Sequence, residues 1–129
     1  MSREEYRVDG LAEPISHFTD AVRAGDLLFV SGIVPVDAGG NLVGGSDVVL
    51  QTRQVFENMR AVLAAAGCRF EDVAKVVIFL TDIDDRPRIN PVRQEVFGAT
   101  RPASTLVEVP RLAVEGAKVE IECVAVVPA

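Results

Sequence analysis

The chain has no tryptophan, one tyrosine, one histidine and two cysteines among its 129 residues. Aromatic residues make up 5% and hydrophobic residues 49%, so any core has to be built mainly from Val, Leu, Ile and Ala. A chain of this length removes roughly two-thirds of its unfolded surface from water when it folds. A single domain spanning residues 1–129 is expected. His17, Cys68 and Cys123 lack the spacing of a zinc ligand set, and both thiols read as reduced core residues.

Basic residues are also scarce. Thirteen Lys and Arg face nineteen Asp and Glu, a formal net charge of −6, and no basic block stands out. Affinity for phosphate backbones comes from clustered cations, so no nucleic-acid partner is expected and a small molecule or another protein is the better ligand. No stretch approaches the ~18 apolar residues that a membrane-spanning helix needs, and "MSREEYRVDG" has neither the basic start nor the apolar run of a secretory signal. A cytoplasmic protein with no membrane partner is expected.

Several motifs are missing too. Ser31 is followed by Gly32, but no GxSxG elbow surrounds it, and its ordinary role is that of a turn serine bonding local backbone. Gly39, Gly40, Gly44 and Gly45 precede no phosphate-binding ending and read as a mobile hairpin. Asp82, Asp84 and Asp85 lack the glycine and terminal glutamate of a calcium loop, and better suit the start of a helix. No metal is expected.

What is present is regular. "AVRAGDLLFVSGIVPV" holds two strand-forming runs around Gly25-Asp26, a turn dipeptide. From Asp47 to Ala66, Val48, Val55, Phe56, Met59, Val62, Leu63 and Ala66 recur at helical spacing, with Ser46 as the expected N-cap and Gly67 as the stop. "VAKVVIFLTDI", residues 73–83, is a β-branched run with no wet face, as in a strand covered on both sides. A second, shorter helix is marked by Ile89, Val92, Val96 and Phe97, starts near Pro87 and Pro91 and closes at Gly98. Two strands finish the chain: "STLVEV", read as buried, and "KVEIECVAVV", with a turn near Glu115-Gly116 between them. In the last strand Val119, Ile121, Cys123, Ala125 and Val127 share one face, and Glu120 and Glu122 share the other.

The order predicts an α+β domain with a mixed sheet and two helices packed on one sheet face. The second face is too apolar to stay wet, and another copy of the chain is the simplest cover.

"AGDLLFVSGIVPVDAGGNLVGG", "QTRQVFENMRAVLAAAGC", "DVAKVVIFLTDI", "RPASTLVEVPRL" and "VEIECVAV" together resemble the RidA/YjgF family of imine and enamine deaminases over nearly the whole chain. The resemblance implies a chorismate-mutase-like fold, a homotrimer with active sites in clefts between subunits, and hydrolysis of a small imine or enamine with release of ammonia. It implies no cofactor. It puts a catalytic role on Glu120, which would position or deprotonate the attacking water, and substrate-binding roles on Ser31 and Asn90. The cleft aromatic, usually tyrosine, falls on Phe18. His17, placed where the family usually has proline, is a candidate pocket residue that could exchange a proton near neutral pH. Glu108 reads as a rim or interface residue, and Glu122 as a buried carboxylate satisfied by backbone or a neighbouring subunit.

The chain departs from the family where the deaminases read "PARS" and their arginine clamps the substrate carboxylate. Here the segment is Pro102-Ala103-Ser104-Thr105. A bidentate guanidinium contact has no equivalent in a neutral side chain. Two readings stay open: Arg101 or Arg93 reaches the cleft from another direction, or the substrate carries no carboxylate there and meets Ser104 and Thr105 as neutral partners. Alternatives to a plain deaminase are a ligand-binding or interaction module that kept the trimer and lost the reaction, and a deaminase of aromatic-ring catabolism.

Overall fold

The computed structural model describes residues 2–129. Among them run β1 (Arg3–Tyr6), β2 (Ala21–Ala24), β3 (Leu27–Ile33), α1 (Val48–Ala65), β4 (Val73–Leu80), α2 (Arg86–Phe97), β5 (Ala103–Glu108) and β6 (Val119–Val126). Short 3-10 turns at Phe70–Asp72 and Ile83–Asp85 lead into β4 and α2. The strands form one mixed sheet in the order β1-β2-β3-β6-β4-β5. Only β4 and β5 pair in parallel, and α2 is the crossover that a parallel pair requires.

The local chemistry sets each boundary. Gly25, at a φ of +60°, takes the left-handed position in the turn between β2 and β3. Helix α1 is capped by Asp47, whose carboxylate accepts from the amides of Val49 and Leu50 at 2.9 and 3.2 Å. The cap expected at Ser46 therefore falls one residue later, on an equally good capping side chain. At the other end Gly67 adopts a φ of +76°, its amide donates to Ala64 and that of Cys68 to Leu63, the paired bonds of a Schellman ending. Pro87 stands in the first turn of α2, where no amide is needed, whereas Pro91 lies further inside than the sequence reading allowed.

The core lies between the helices and one sheet face. Val55, Phe56, Met59, Val62 and Leu63 of α1 and Ile89 and Val92 of α2 are buried against Leu28, Val76, Ile78, Leu80, Val119 and Ile121. Phe56, Phe70 and Phe97 meet edge to face with centroids 5.5 to 6.0 Å apart, the arrangement that ring quadrupoles favour. Gln51 is fully buried and hydrogen-bonded throughout. Its Nε2 donates to the carbonyls of Gly45 at 2.7 Å and Gly116 at 3.0 Å, and its Oε1 accepts from the Lys118 amide at 2.7 Å.

The opposite face is open. Leu27 and Phe29 of β3, Val107 of β5 and Val126 of β6 stand exposed on it, which agrees with the apolar second face read from the sequence. Four expectations change. Residues Arg3–Tyr6 add an edge strand that the polar run "REEY" did not suggest. The strand of "RPASTLVEVPRL" is mostly exposed, because it is the other edge of the sheet. Glu122 projects from the open face and is exposed within the chain rather than buried. The glycine-rich segment is pinned rather than loose: the Asp37 carboxylate accepts from the amides of Gly39 and Asn41, and Val36 bridges to Leu42. No helix is long and apolar enough to cross a membrane among the described residues.

Candidate functional site

A cavity of about 410 Å³ opens beside the C-terminal end of β3. Its outer wall is the segment Leu11–Phe18, which has no regular structure and is held by one arginine. Arg7 donates to the carbonyls of Val8, Leu11 and Ala12 and to the Asp20 carboxylate at 2.7 to 3.0 Å. Asp20 in turn accepts from the Val8 amide at 2.7 Å. This brace brings Pro14, Ile15 and Phe18 to the cavity, with Phe18 47% exposed.

The inner wall comes from an irregularity in β3. Val30 pairs with Cys123 and Ile33 with Ile121, so β3 carries one residue more than β6 over this interval. Such a bulge re-aims the residues within it. Ser31 and Gly32 both line the cavity. The Ser31 hydroxyl donates to the Thr19 carbonyl at 2.6 Å, and its amide donates to the Asp20 carbonyl at 3.0 Å. In the isolated chain Ser31 thus makes the local backbone bonds of a turn serine.

Glu120 stands at the cavity's floor, half-buried, on the open face of β6 and opposite Phe79 of β4. Gly32 leaves the space for it: a Cβ at that position would overlap Glu120 Oε2 and lie 2.9 Å from Cδ. Burial raises the Glu120 carboxyl above its ordinary value, and the nearby charge of Glu122 adds to the effect. A carboxyl so placed retains a proton further toward neutrality than a solvated glutamate and can act as acid and then as base.

Glu120, Ser31 and Phe18 are therefore brought together, and the remaining candidates lie elsewhere in the chain. His17 is exposed beside Phe18 but does not line the cavity. Asn90 is exposed on α2, and Arg101 is exposed just before β5. Ser104 pairs across from Val76 and so faces the helix side, where its Oγ accepts from Arg93 Nη2 at 2.9 Å. Thr105 faces the other way and accepts from Lys75 Nζ at 3.0 Å. Adjacent strand residues point to opposite faces, so Ser104 and Thr105 do not share one wall within a chain. Glu108 is exposed and accepts from the Ile83 amide at 2.9 Å, tying the turn before α2 to β5.

Two site residues went unnoticed in the sequence. Gly32 follows a serine inside a strand pattern, a placement that often marks close approach by another group. Asn58 is a polar residue on a helix face otherwise lined with Val55, Met59 and Val62. Its Nδ2 donates to the carbonyls of Val34 at 3.3 Å and Val36 at 2.9 Å, bracing the chain where it leaves β3 and borders the cavity. Among the described residues no group of His, Cys, Asp and Glu is clustered as metal ligands would be.

Known proteins share this sequence pattern and fold. A family model described as Endoribonuclease L-PSP matches residues 10–127. A RutC family protein of Pyrococcus horikoshii is 38% identical over 123 residues, covering 95% of this chain and 97% of the relative. The 3-aminoacrylate deaminase RutC of Acinetobacter baylyi is 37% identical over 109 residues, 84% of this chain and 86% of that protein. The crystal structure of a conserved Rid family protein of unknown function from Yersinia pestis superimposes with a TM-score of 0.92 at 34% identity, over 98% of this chain and 100% of that one. The YjgF gene product of E. coli gives 0.85 at 31% identity, over 95% and 98% of the two chains. Agreement this long, in sequence and in backbone alike, makes the chain a member of the RidA/YjgF family.

Proposed function

We propose that this protein hydrolyses a small imine or enamine to a carbonyl compound and ammonia, with Glu120 handling the proton. The observation that carries the reading is a half-buried carboxyl, held toward its protonated form, on the floor of a mainly apolar cavity of about 410 Å³.

The chemistry follows from that placement. Glu120 gives its proton to the imine nitrogen, which makes the carbon more electrophilic. Water then adds to that carbon, and the resulting carboxylate takes the surplus proton. Glu120 returns that proton to the nitrogen, the C–N bond of the carbinolamine breaks to release ammonia, and the hydroxyl proton passes to the Glu120 carboxylate as the C=O bond forms, which restores the acid. Each transfer lies within the usual reach of a general acid and base, worth about 100-fold to 10,000-fold in rate. An enamine enters the same sequence once its carbon is protonated to the imine.

Asn90 and Ser104 serve the same substrate from a second copy of the chain, whereas Thr105 faces the other side of that strand. Ser104 and Glu120 face opposite sides of one sheet, so a single chain does not present both to one molecule. A homotrimer that buries Leu27, Phe29, Val107 and Val126 would supply the missing wall and cover the apolar face.

A second reading, a module that binds a ligand without transforming it, draws on Ser31, whose hydroxyl proton is already engaged by the Thr19 carbonyl. One assay separates the two. Ammonia release is followed from imines freshly generated by an amino-acid oxidase, with and without carboxylates, and from 3-aminoacrylate, the compound in the Acinetobacter relative's name. Acceleration by the wild type that is lost in Glu120→Gln supports hydrolysis. No acceleration with any of these compounds sinks it in favour of the binding module.

A further inference from the structure

The proposed reaction leaves open how a negatively charged substrate would be held when the strand position facing α2 is Ser104. Six arginines, Arg3, Arg7, Arg53, Arg60, Arg69 and Arg88, each have a carboxylate within 4.0 Å among the described residues. Arg93 has none. It is partly buried on α2, and its hydrogen bond to Ser104 Oγ at 2.9 Å joins it to a neutral hydroxyl.

A guanidinium removed from water without a counter-charge is disfavoured, and burial accordingly lowers the Arg93 value from that of a free arginine. An anion would relieve that cost. The fork geometry of Arg suits two coplanar carboxylate oxygens. Ser104 accepts from Arg93 through oxygen and keeps its own proton free to donate to a ligand. Asn90 lies three residues before Arg93, one turn away on the same helix face, and adds an amide donor. Two donors, one of them cationic, are thus joined at the α2–β5 edge, with Asn90 one helical turn away. The acids nearest in sequence are otherwise engaged: Glu95 pairs with Arg53, and Asp85 with Arg88.

We propose that Arg93, presented by α2 and oriented by Ser104, binds the carboxylate of a 2-imino or 2-oxo acid and sets this protein's preference for anionic substrates. The inference rests on the deaminase reading for the identity of the ligand. It moves the cation from strand to helix, one layer back, with Ser104 leaving room for the guanidinium to reach it.

The test compares two probes by calorimetry, pyruvate and its neutral amide 2-oxopropanamide, on wild type, Arg93→Gln, Arg93→Lys and the double variant Arg93→Gln/Ser104→Arg. Wild type is expected to bind pyruvate about tenfold or more tighter than the amide, as loss of a charge-assisted pair implies. Arg93→Gln should erase that difference and leave amide binding unchanged. Arg93→Lys should lose about fivefold for pyruvate alone, because an ammonium does not reproduce the fork. The double variant should recover the preference. No preference in wild type, or pyruvate affinity within twofold of wild type in Arg93→Gln, would overturn the proposal. Should Arg93→Gln fail to fold, an unchanged pyruvate affinity in Arg93→Lys would overturn it equally. Imine hydrolysis measured on the same proteins keeps the two ideas apart. Turnover with an unaltered KM in Arg93→Gln removes Arg93 and leaves the deaminase; Arg93-dependent pyruvate binding without turnover removes the deaminase and leaves Arg93.

Discussion

Gly32 and Glu120 are in such close contact that the carboxyl of the second occupies the space where a side chain on the first would begin. Gly32 does not have a positive φ, so alanine is conformationally acceptable there and would act only through its Cβ. Gly32→Ala is expected to fold and melt within a few degrees of wild type. It should lose about 100-fold in deamination, the scale on which a displacement of roughly 1 Å acts in an active site. Calorimetric melting and ammonia release measure the two effects separately.

Glu120→Gln keeps the shape of the side chain and removes its exchangeable proton. A fall in kcat of about 100-fold or more with little change in KM is expected, because the carboxyl acts on the transition state more than on binding. A KM effect with unchanged kcat would demote Glu120 to a binding residue.

The same carboxyl makes stability depend on pH. Its folded-state value is raised by burial and then by Glu122, so the folded chain holds the proton more tightly than the unfolded chain. This contribution is fully present below the unfolded glutamate value and is lost as pH rises through the higher folded value. Denaturant titrations of wild type and Glu120→Gln should therefore diverge as pH rises above the ordinary glutamate value of about 4, with wild type losing ground. An assembly that brought a cation to the cavity would reverse that sign, so the experiment also reports on what meets Glu120.

Phe29 is 46% exposed in the middle of the open sheet face. Phe29→Glu should leave the fold of one chain intact and yield the mass of a single 13.8 kDa chain in sedimentation, where wild type is expected to give three times that mass. Deamination should disappear with the assembly. An active monomer would contradict a site shared between copies.

Gln51→Leu tests the buried amide. The substitution strands the carbonyls of Gly45 and Gly116 and the amide of Lys118 away from water. A loss of about 2–4 kcal/mol is expected from leaving these groups unpaired. Urea unfolding measures it.

Much of the fold was legible because the apolar spacing was unambiguous. Every apolar position assigned to the core face of α1, from Val48 to Ala66, is buried, and so is the alternating set from Val119 to Val127 in β6. What the sequence obscured depended on a residue's position in the sheet. "TLVEV" is apolar enough for an interior strand, yet it lies at the edge, because strand order follows from pairing rather than composition. Arg3–Tyr6 pairs with β2 despite its polarity, since an edge strand needs only one partner. Of the candidates named from the sequence, Phe18, Ser31 and Glu120 line one cavity. Ser104 and Thr105 were read as one wall, and strand alternation separates them. Arg93 is one of the two arginines that the sequence offers for the cleft; its want of a carboxylate is a property of the folded chain.

The last strand in chain order, β6, lies in the middle of the sheet, between β3 and β4. Before residues 119–126 are made, β1 to β3 and β4 with β5 have no common partner, and the two helices have half a sheet to pack on. The final join also delivers Glu120 to the bulge at Gly32. A nascent chain therefore acquires its cohesion and the carboxyl that lines its cavity in a single late event, and a ribosome-stalled fragment ending before β6 should expose both sheet halves to chaperones and proteases.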